Sequence, residues 1–222
     1  MEKRKIVFGR YDTAVHGWTL AGWQFSPAEE KTNFVDKPGG DGSWDLSTAL
    51  TDGLARYHNR TLTVALETSE GDRLAREATI RDMVNRLDGM RLDIELPDDP
   101  DHHITGRVHV AREYNDMAHA AVSVSAICDP WKYNNTDTVI QLTAGTTEQI
   151  ARLVNNGRRA VVPTLTVAGT GASVRLVYGT VSRSLSAGTY QLPDLLLTPG
   201  AHALTYSGTG TVKITYREAV LE

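Results

Sequence analysis

One short segment holds the densest group of acidic and histidine side chains in this 222-residue chain, namely Asp98, Asp99, Asp101, His102 and His103. Carboxylates and imidazoles are common metal ligands, so the segment is a candidate cation site. Metal-binding histidines are usually spaced so that one face of a helix or strand presents them together, whereas these two are adjacent. Two prolines predict a turn over residues 97–101, and a solvated hairpin tip explains the cluster more simply than a metal.

The other reactive side chains are scattered or belong to structural patterns. His109 and Glu113 share one face of a predicted strand, where cross-strand pairing accounts for them. Cys128 is the only cysteine and continues an alternating apolar run, which indicates a small buried side chain. The chain has no G-x-S-x-G motif, phosphate-binding loop or dinucleotide fingerprint. The sequence therefore predicts a protein that is not an enzyme and has no metal and no cofactor.

Three tyrosines near the C-terminus, Tyr178, Tyr190 and Tyr206, suggest another kind of site. Their rings could form a platform for a sugar, or they could fill and edge the core of a β-sandwich. The acids in this part of the chain are scattered, so hydrolysis of a glycan by paired carboxylates has no support. A carbohydrate-binding protein remains an alternative to a purely structural one.

Helical spacing of apolar residues predicts one amphipathic helix over residues 69–87. Ser69 and Asp72 form a capping-box-like start, and Gly89 is a good stop. The buried face is expected to carry Leu74, Ile80, Met83, Val84 and Leu87. The opposite face is expected to be solvated and to carry Arg73, Arg76, Glu77, Arg81 and Asp82.

Alternating segments around this helix predict strands at residues 5–9, 16–25, 56–67, 91–96, 103–113 and 117–129. Residues 26–36 are expected to form a loop or an extended arm. Asp45 to Ser47 could cap a short helical turn that ends at Leu50. Residues 1–133 are thus predicted to be an α+β domain, in which one helix crosses an antiparallel sheet or split barrel.

Residues 134–222 are predicted to be an all-β sandwich, because short strands recur with turn signals between them. Two of these predicted turns are Gly169-Thr170-Gly171 and Ser207-Gly208. The polar, turn-rich residues 130–137 mark the boundary. Charge supports the division, since residues 1–133 hold 22 acids and 16 bases whereas residues 134–222 hold 5 and 7.

The overall composition excludes several classes of function. The net charge is −4 and no basic face is apparent, so nucleic-acid binding is not expected. No apolar run reaches membrane-spanning length, so membrane insertion is not expected. The basic N-terminus lacks the apolar core of a signal peptide, because Gly9, Arg10 and Asp12 interrupt it. Synthesis and folding in a cytoplasm are expected.

Residues 37–66 carry the densest part of a pattern that continues through most of the chain. The pattern begins with a proline–glycine turn and an Asp-Leu-Ser segment, continues with a strand, a helix and a hairpin, and ends with a strand that closes in Asp-Pro-Trp. In this chain the matching segments are Pro38-Gly39, Asp41-Gly42, Ser43-Trp44, Asp45-Leu46-Ser47, Asn59-Arg60-Thr61-Leu62, Gly89, Gly106-Arg107-Val108 and Asp129-Pro130-Trp131. In this order the motifs resemble those of the phage tail-component family that includes the distal tail proteins of siphophages.

That resemblance implies a structural protein of the virion tail tip, made in the host cytoplasm. It implies a hexameric ring that joins the tail tube protein to the tail-tip or tail-associated protein and holds receptor-binding proteins. The N-terminal domains would form the ring, and a sandwich similar to galectins or carbohydrate-binding modules would project from it. Many family members carry long insertions in the sandwich, and this chain has no room for one. The alternative is a carbohydrate-binding adsorption protein that acts through the sandwich.

Trp44 is the residue that most directly suggests an interface. It lies in a turn cluster with few apolar neighbours in sequence, so its own domain or a neighbouring subunit must bury it. The predicted interface residues are Trp44, Asp45, Asp41, Arg60 and Trp131. Whether their contacts lie within one subunit or between two is left open by the sequence.

Overall fold

The structure is a computed structural model that describes residues 4–51 and 53–222. It divides into two compact units, one ending at Lys132 and the other running from Tyr133 to Glu222. The expectation that residues 1–133 and 134–222 fold as independent domains stays a prediction. The turn-rich character predicted for the boundary at residues 130–137 is wrong for residues 130–134, because a strand continues as far as Asn134.

The first unit is built on a curled antiparallel sheet that forms a half-barrel. Its elements in chain order are β1 (Val7–Phe8), β2 (Tyr11–Asp12), β3 (Thr19–Phe25), β4 (Phe34–Asp36), β5 (Ser43–Asp45), β6 (Arg60–Thr68), α1 (Arg73–Leu87), β7 (Arg91–Leu96), β8 (Asp99–Asn115) and β9 (Ala120–Asn134). The strand order is β2-β1-β7-β8-β9-β6-β3, and β4 and β5 pair separately. Along β6 every second residue is buried, including Leu62, Val64 and Leu66, which confirms the alternation predicted for the strand within residues 56–67.

The helix α1 packs its predicted residues Ile80, Met83 and Leu87 into the core of this unit. It begins later than expected, because Asp72 and not Ser69 is the N-cap and accepts a 2.7 Å hydrogen bond from the Ala75 amide. Among the described residues, no helix has both the length and the apolar character needed to cross a membrane.

Two positions of α1 were assigned to the wrong face. Leu74 is 80% exposed, whereas Arg76 is buried. Arg76 lies four, seven and eleven residues before Ile80, Met83 and Leu87, so it occupies the inward position of the first turn. Its guanidinium is paired there by four acceptors from neighbouring segments: Gly71 O, Asn115 Oδ1, Asp116 O and Met117 O.

All regular secondary structure that begins in the second unit consists of β-strands. They are β10 (Thr138–Ala144), β11 (Gln149–Asn155), β12 (Thr164–Tyr178), β13 (Val181–Ser186), β14 (Gly188–Gln191), β15 (Gly200–Tyr216) and β16 (Ala219–Val220). The first half of β15 pairs with β11 and its second half with β10, while β12 pairs with β14 and then with β13. One buried cluster contains Leu165 from the first half of β12, Val174 from its second half and Leu204 from the first half of β15. The likeness of this unit to galectins stays a prediction.

Two of the turns predicted inside this unit are wrong, because β12 runs through Gly169-Thr170-Gly171 and β15 runs through Ser207-Gly208. Between the pairs Ala168–Thr211 and Ser173–Thr209, five steps along β12 oppose two along β15, so Gly169-Thr170-Gly171 forms a bulge. Gly208 has φ +127°, and a Cβ there would lie 2.1 Å from the Ser173 carbonyl oxygen. Glycine at this position permits the close approach of two strands. A glycine in the sequence can indicate such an approach or a turn, so the sequence alone does not distinguish them.

Candidate functional site

The acid–histidine cluster lies at the start of β8 and is held by hydrogen bonds and ion pairs. The turn is shorter than predicted, because β7 ends at Leu96 and β8 begins at Asp99. The Asp99 carboxylate contacts His102 Nδ1 at 2.6 Å and Lys132 Nζ at 3.0 Å. Burial acts to raise the pKa of Asp99, but the hydrogen bonds from these two residues outweigh it and lower the pKa. Among the residues that the structure describes, no three potential ligands are grouped to hold a metal ion.

The remaining reactive residues of the first unit have structural surroundings. His109 Nδ1 lies 2.8 Å from Asp88 Oδ1 in an exposed pair just beyond the end of α1. Cys128 is buried, as the sequence predicts, and burial raises the pKa of its thiol to about 12. The thiol is therefore protonated near neutral pH, which does not suit a nucleophile.

The three tyrosines proposed as a sugar platform pack against the core of the second unit. The Tyr178 hydroxyl lies 2.9 Å from Leu196 O and 2.8 Å from His202 Nδ1. The Tyr190 hydroxyl donates to Ser186 O at 3.1 Å. All three rings are partly buried, and two of them are hydrogen-bonded at their hydroxyls, which favours the core and edge interpretation over an open stacking surface.

The most distinctive surface of the first unit is a long hairpin, residues 26–59, which we call the arm. It continues the pairing of β3 with β6 through scattered backbone hydrogen bonds, including Lys31 N to Arg56 O at 2.7 Å and His58 N to Glu29 O at 2.8 Å. At its end β4 pairs with β5, and residues 37–42 form the connecting turn. The predicted bends of the Pro38-Gly39-Gly40-Asp41-Gly42 run are confirmed, with φ +71° at Gly39 and +77° at Gly42.

Of two local predictions for the arm, one is confirmed and one is wrong. Residues 26–36 form the extended arm that the sequence offers as the alternative to a loop, because Glu30 pairs with Tyr57 and Phe34–Asp36 is a strand. Asp45 does not cap a helix, because it ends β5 and its carboxylate accepts a 2.9 Å hydrogen bond from the Ser47 amide in a turn. Such Asx turns use the same residue types as helix caps, which explains the error.

Large apolar side chains of the arm are exposed to solvent. The exposed fractions are 60% for Phe34, 41% for Val35, 51% for Trp44, 42% for Leu46 and 98% for Leu50. No residue of the arm that the structure describes is buried. A two-stranded hairpin is marginally stable by itself in water, and clustered exposed apolar groups mark interaction surfaces. The arm therefore has the properties of a segment that another surface covers.

The arm is also acidic. By sequence it holds six acids and three bases, a net charge of −3. Hydrogen bonds from the Ser47 side chain and backbone lower the pKa of Asp45. This carboxylate is consequently ionised at neutral pH, which adds a charged group beside the exposed Trp44 ring.

The five predicted interface residues separate into two groups. Asp41, Trp44 and Asp45 lie together at the end of the arm and are exposed. Arg60 is buried at the base, with its guanidinium carbon 3.7 Å from the centre of the Phe25 ring and its Nε donating to Ser26 O. Trp131 packs edge-on against Tyr57, with ring centres 5.3 Å apart. Arg60 and Trp131 therefore anchor the arm within the unit.

Phe34, Val35, Leu46 and Leu50 were not predicted as site residues. A signal for the first three exists in the sequence, since apolar residues lie on both sides of the glycine-rich turn at similar distances. Recognising that signal requires knowing that residues 34–36 pair with residues 43–45, and both segments are too short to show an alternating pattern.

The chain resembles known proteins in its structure, whereas comparison of its sequence finds no match. No protein-family model matches the chain, and no curated protein matches it by sequence. The crystal structure of the SPP1 Dit (gp 19.1) protein, described as a paradigm of the hub adsorption apparatus in phages that infect Gram-positive bacteria, has a TM-score of 0.67 and 14% identity. The match covers 96% of this chain and 98% of that one.

A second match is the structure of the phage p2 baseplate in its activated conformation with Sr, with a TM-score of 0.42 and 8% identity over 95% of this chain and 96% of that chain. At these identities the comparison concerns the fold. The resemblance to distal tail proteins drawn from the sequence motifs is confirmed at that level, because the chain has the fold of a Dit protein along nearly its whole length.

Proposed function

We propose that this chain is a structural hub protein at the tail tip of a long, non-contractile-tailed phage. Six copies form a ring that joins the tail tube to the tail-tip or tail-associated protein and supports the receptor-binding apparatus. The protein is made in the host cytoplasm and ends up in the virion. The match to the SPP1 Dit fold over 96% of the chain supports this proposal, and no catalytic role is part of it.

The observation that carries the proposal is the exposed arm. A segment with five exposed large apolar side chains and an isolated two-stranded tip needs a covering surface. In the proposed ring that surface belongs to the neighbouring copy. Trp44 then serves as an anchor, since buried aromatic residues contribute most to the free energy of association at many interfaces.

A ring imposes a further requirement on the chain. Head-to-tail association closes into a ring only when each copy presents two different, complementary patches. The arm provides one of them. The carbohydrate-binding alternative stays a prediction without an observation that favours it, because the tyrosines of the second unit are engaged at the edge of its core.

Mass photometry and sedimentation velocity of the purified chain test the proposal. One chain has a mass of 24.3 kDa, so a hexamer is expected at about 146 kDa, which is six times that value. A monomer at all concentrations that binds cell-wall glycans would contradict the hub and support the alternative.

A further inference from the structure

A groove of about 540 Å³ opens in the first unit beside the β1–β2 turn. Three arginines from three different elements line it: Arg10 in that turn, Arg86 in the last turn of α1 and Arg91 at the start of β7. Of the described residues that line the groove, one is acidic, namely Asp93. Its carboxylate accepts a 2.7 Å hydrogen bond from the Thr105 hydroxyl. The lining itself therefore holds three basic side chains and one acidic one.

The arginines of the groove can exchange partners at little cost. Arg10 is exposed, and no ion pair to it is found within residues 4–51 and 53–222. Arg86 pairs with Asp82 at 2.7 Å and Arg91 with Asp129 at 2.6 Å, and both arginine side chains are about half exposed. Exposed ion pairs of this kind contribute little stability. A carboxylate that enters the groove can thus form bidentate contacts to these guanidinium groups.

Apolar side chains close the base of the groove. Phe8 and Leu87 are buried beneath it as part of the core, and the partly buried Leu92 is the aliphatic side chain of the lining that an occupant can reach. A volume of this size is typical of ligand pockets and holds several side chains. The groove therefore suits a segment that combines carboxylates with a large apolar group.

We propose that this groove receives the acidic tip of the arm from a second copy of the chain, an inference that rests on the proposed ring. The tip, residues 34–46, carries Asp36, Asp41 and Asp45 against the single base Lys37. Its exposed Phe34 and Trp44 supply the apolar component. Charge and composition of the tip thus complement those of the groove.

The positions of the two surfaces in the sheet support this pairing. The arm extends from β3 and β6, which end the strand order on one side. The groove is formed around β1, β2 and β7, which end it on the other side. The two patches thus lie on different strands of one sheet, and head-to-tail association requires two different patches on each copy.

Charge reversal in both surfaces tests the pairing. The groove variant is Arg10→Glu with Arg86→Glu, and the arm variant is Asp36→Arg with Asp41→Arg. Each alone is expected to weaken self-association at least tenfold in sedimentation velocity. An equimolar mixture is expected to restore assembly, because alternating copies then pair opposite charges at every interface. Arg73→Glu with Arg81→Glu, two exposed positions of the same helix outside the groove lining, is the matched control.

The outcomes distinguish this inference from the ring itself. Wild-type assembly that neither charge reversal weakens, or a mixture that does not restore it, overturns the groove and leaves the ring standing. A wild-type chain that never self-associates overturns both. Thermal unfolding identifies a variant that fails to fold, and Arg10→Ala, which removes one exposed side chain, then replaces the groove variant. Unchanged association of folded Arg10→Ala at low and high salt likewise overturns the groove.

Discussion

Val35 and Trp44 are direct cross-strand partners at the end of the arm, and both side chains remain exposed, at 41% and 51%. Directly opposed residues in an antiparallel pair project from the same face, so the two form one apolar surface. Phe34, paired with Asp45, projects from the other face. The tip of the arm therefore has an exposed apolar side chain on each face, which supports the proposal that a neighbouring copy covers it.

Trp44→Ala should weaken self-association without unfolding the chain, because Trp44 is half exposed in the single copy. Anchor residues of interfaces contribute about 2 kcal/mol or more, which corresponds to a roughly 30-fold higher dissociation constant. Sedimentation equilibrium measures this constant. Tyr114→Ala is the matched control, since Tyr114 is 44% exposed and lies outside the arm. Equal dissociation constants for the two variants would remove Trp44 from the interface.

Arg76→Ala should strongly destabilise the first unit. The substitution removes a buried guanidinium and leaves its acceptors Gly71 O, Asp116 O and Met117 O without this donor. Removing one partner of a buried charged network costs about 3–5 kcal/mol, so a loss of roughly 3 kcal/mol or more is expected in urea unfolding. Arg81→Ala, on the exposed face of the same helix, should change the free energy of unfolding by less than about 0.5 kcal/mol. Similar losses for both variants would show that the buried network is not important.

Gly208→Ala should destabilise the second unit more than Gly171→Ala does. Both glycines have positive φ, so both substitutions introduce backbone strain of about 1–3 kcal/mol. Only at Gly208 would the new Cβ meet backbone, 2.1 Å from Ser173 O, whereas nothing lies within 4 Å of a Cβ at Gly171. Thermal unfolding of the two variants measures the difference. An equal decrease in melting temperature would mean that the close approach of β12 and β15 is not present.

The Asp99 carboxylate should make stability depend on acid pH. Its pKa is lowered in the folded chain from the ordinary value of 3.8, with burial opposing the effect and hydrogen bonds from His102 and Lys132 exceeding it. The ionised form therefore contributes stability above about pH 4, and the contribution is lost as the pH falls through the folded pKa. The difference in free energy of unfolding between wild type and Asp99→Asn should be constant from pH 7 to about pH 5 and shrink below pH 4. A difference that grows toward low pH would reverse the sign of the pKa shift.

The sequence predicts best where one periodic signal controls the structure. The alternation of Leu62, Val64 and Leu66 and the helical spacing of Ile80, Met83 and Leu87 are both confirmed, because burial of one face fixes the register. A prediction from hydrophobicity alone gives the wrong buried residue in the first turn of α1. There the inward position belongs to Arg76, whose charge is tolerated in the core because neighbouring carbonyls satisfy it.

Glycines show the opposite limit of sequence reasoning. At Gly39 and Gly42 they form the turn that the sequence predicts, whereas at Gly208 they permit two strands to pass in close contact. The two uses differ only in whether another strand lies against the glycine, which depends on residues far away in the sequence. For the same reason Trp44 was recognised as a candidate anchor but its cross-strand partner Val35 was not.

Negative-stain electron microscopy of the purified wild-type chain tests the proposed ring most directly. Class averages with closed six-fold rings are expected, and Trp44→Ala should reduce their number at equal concentration. Isolated single copies in wild-type images, at concentrations where the chain is fully folded, would contradict the proposed ring.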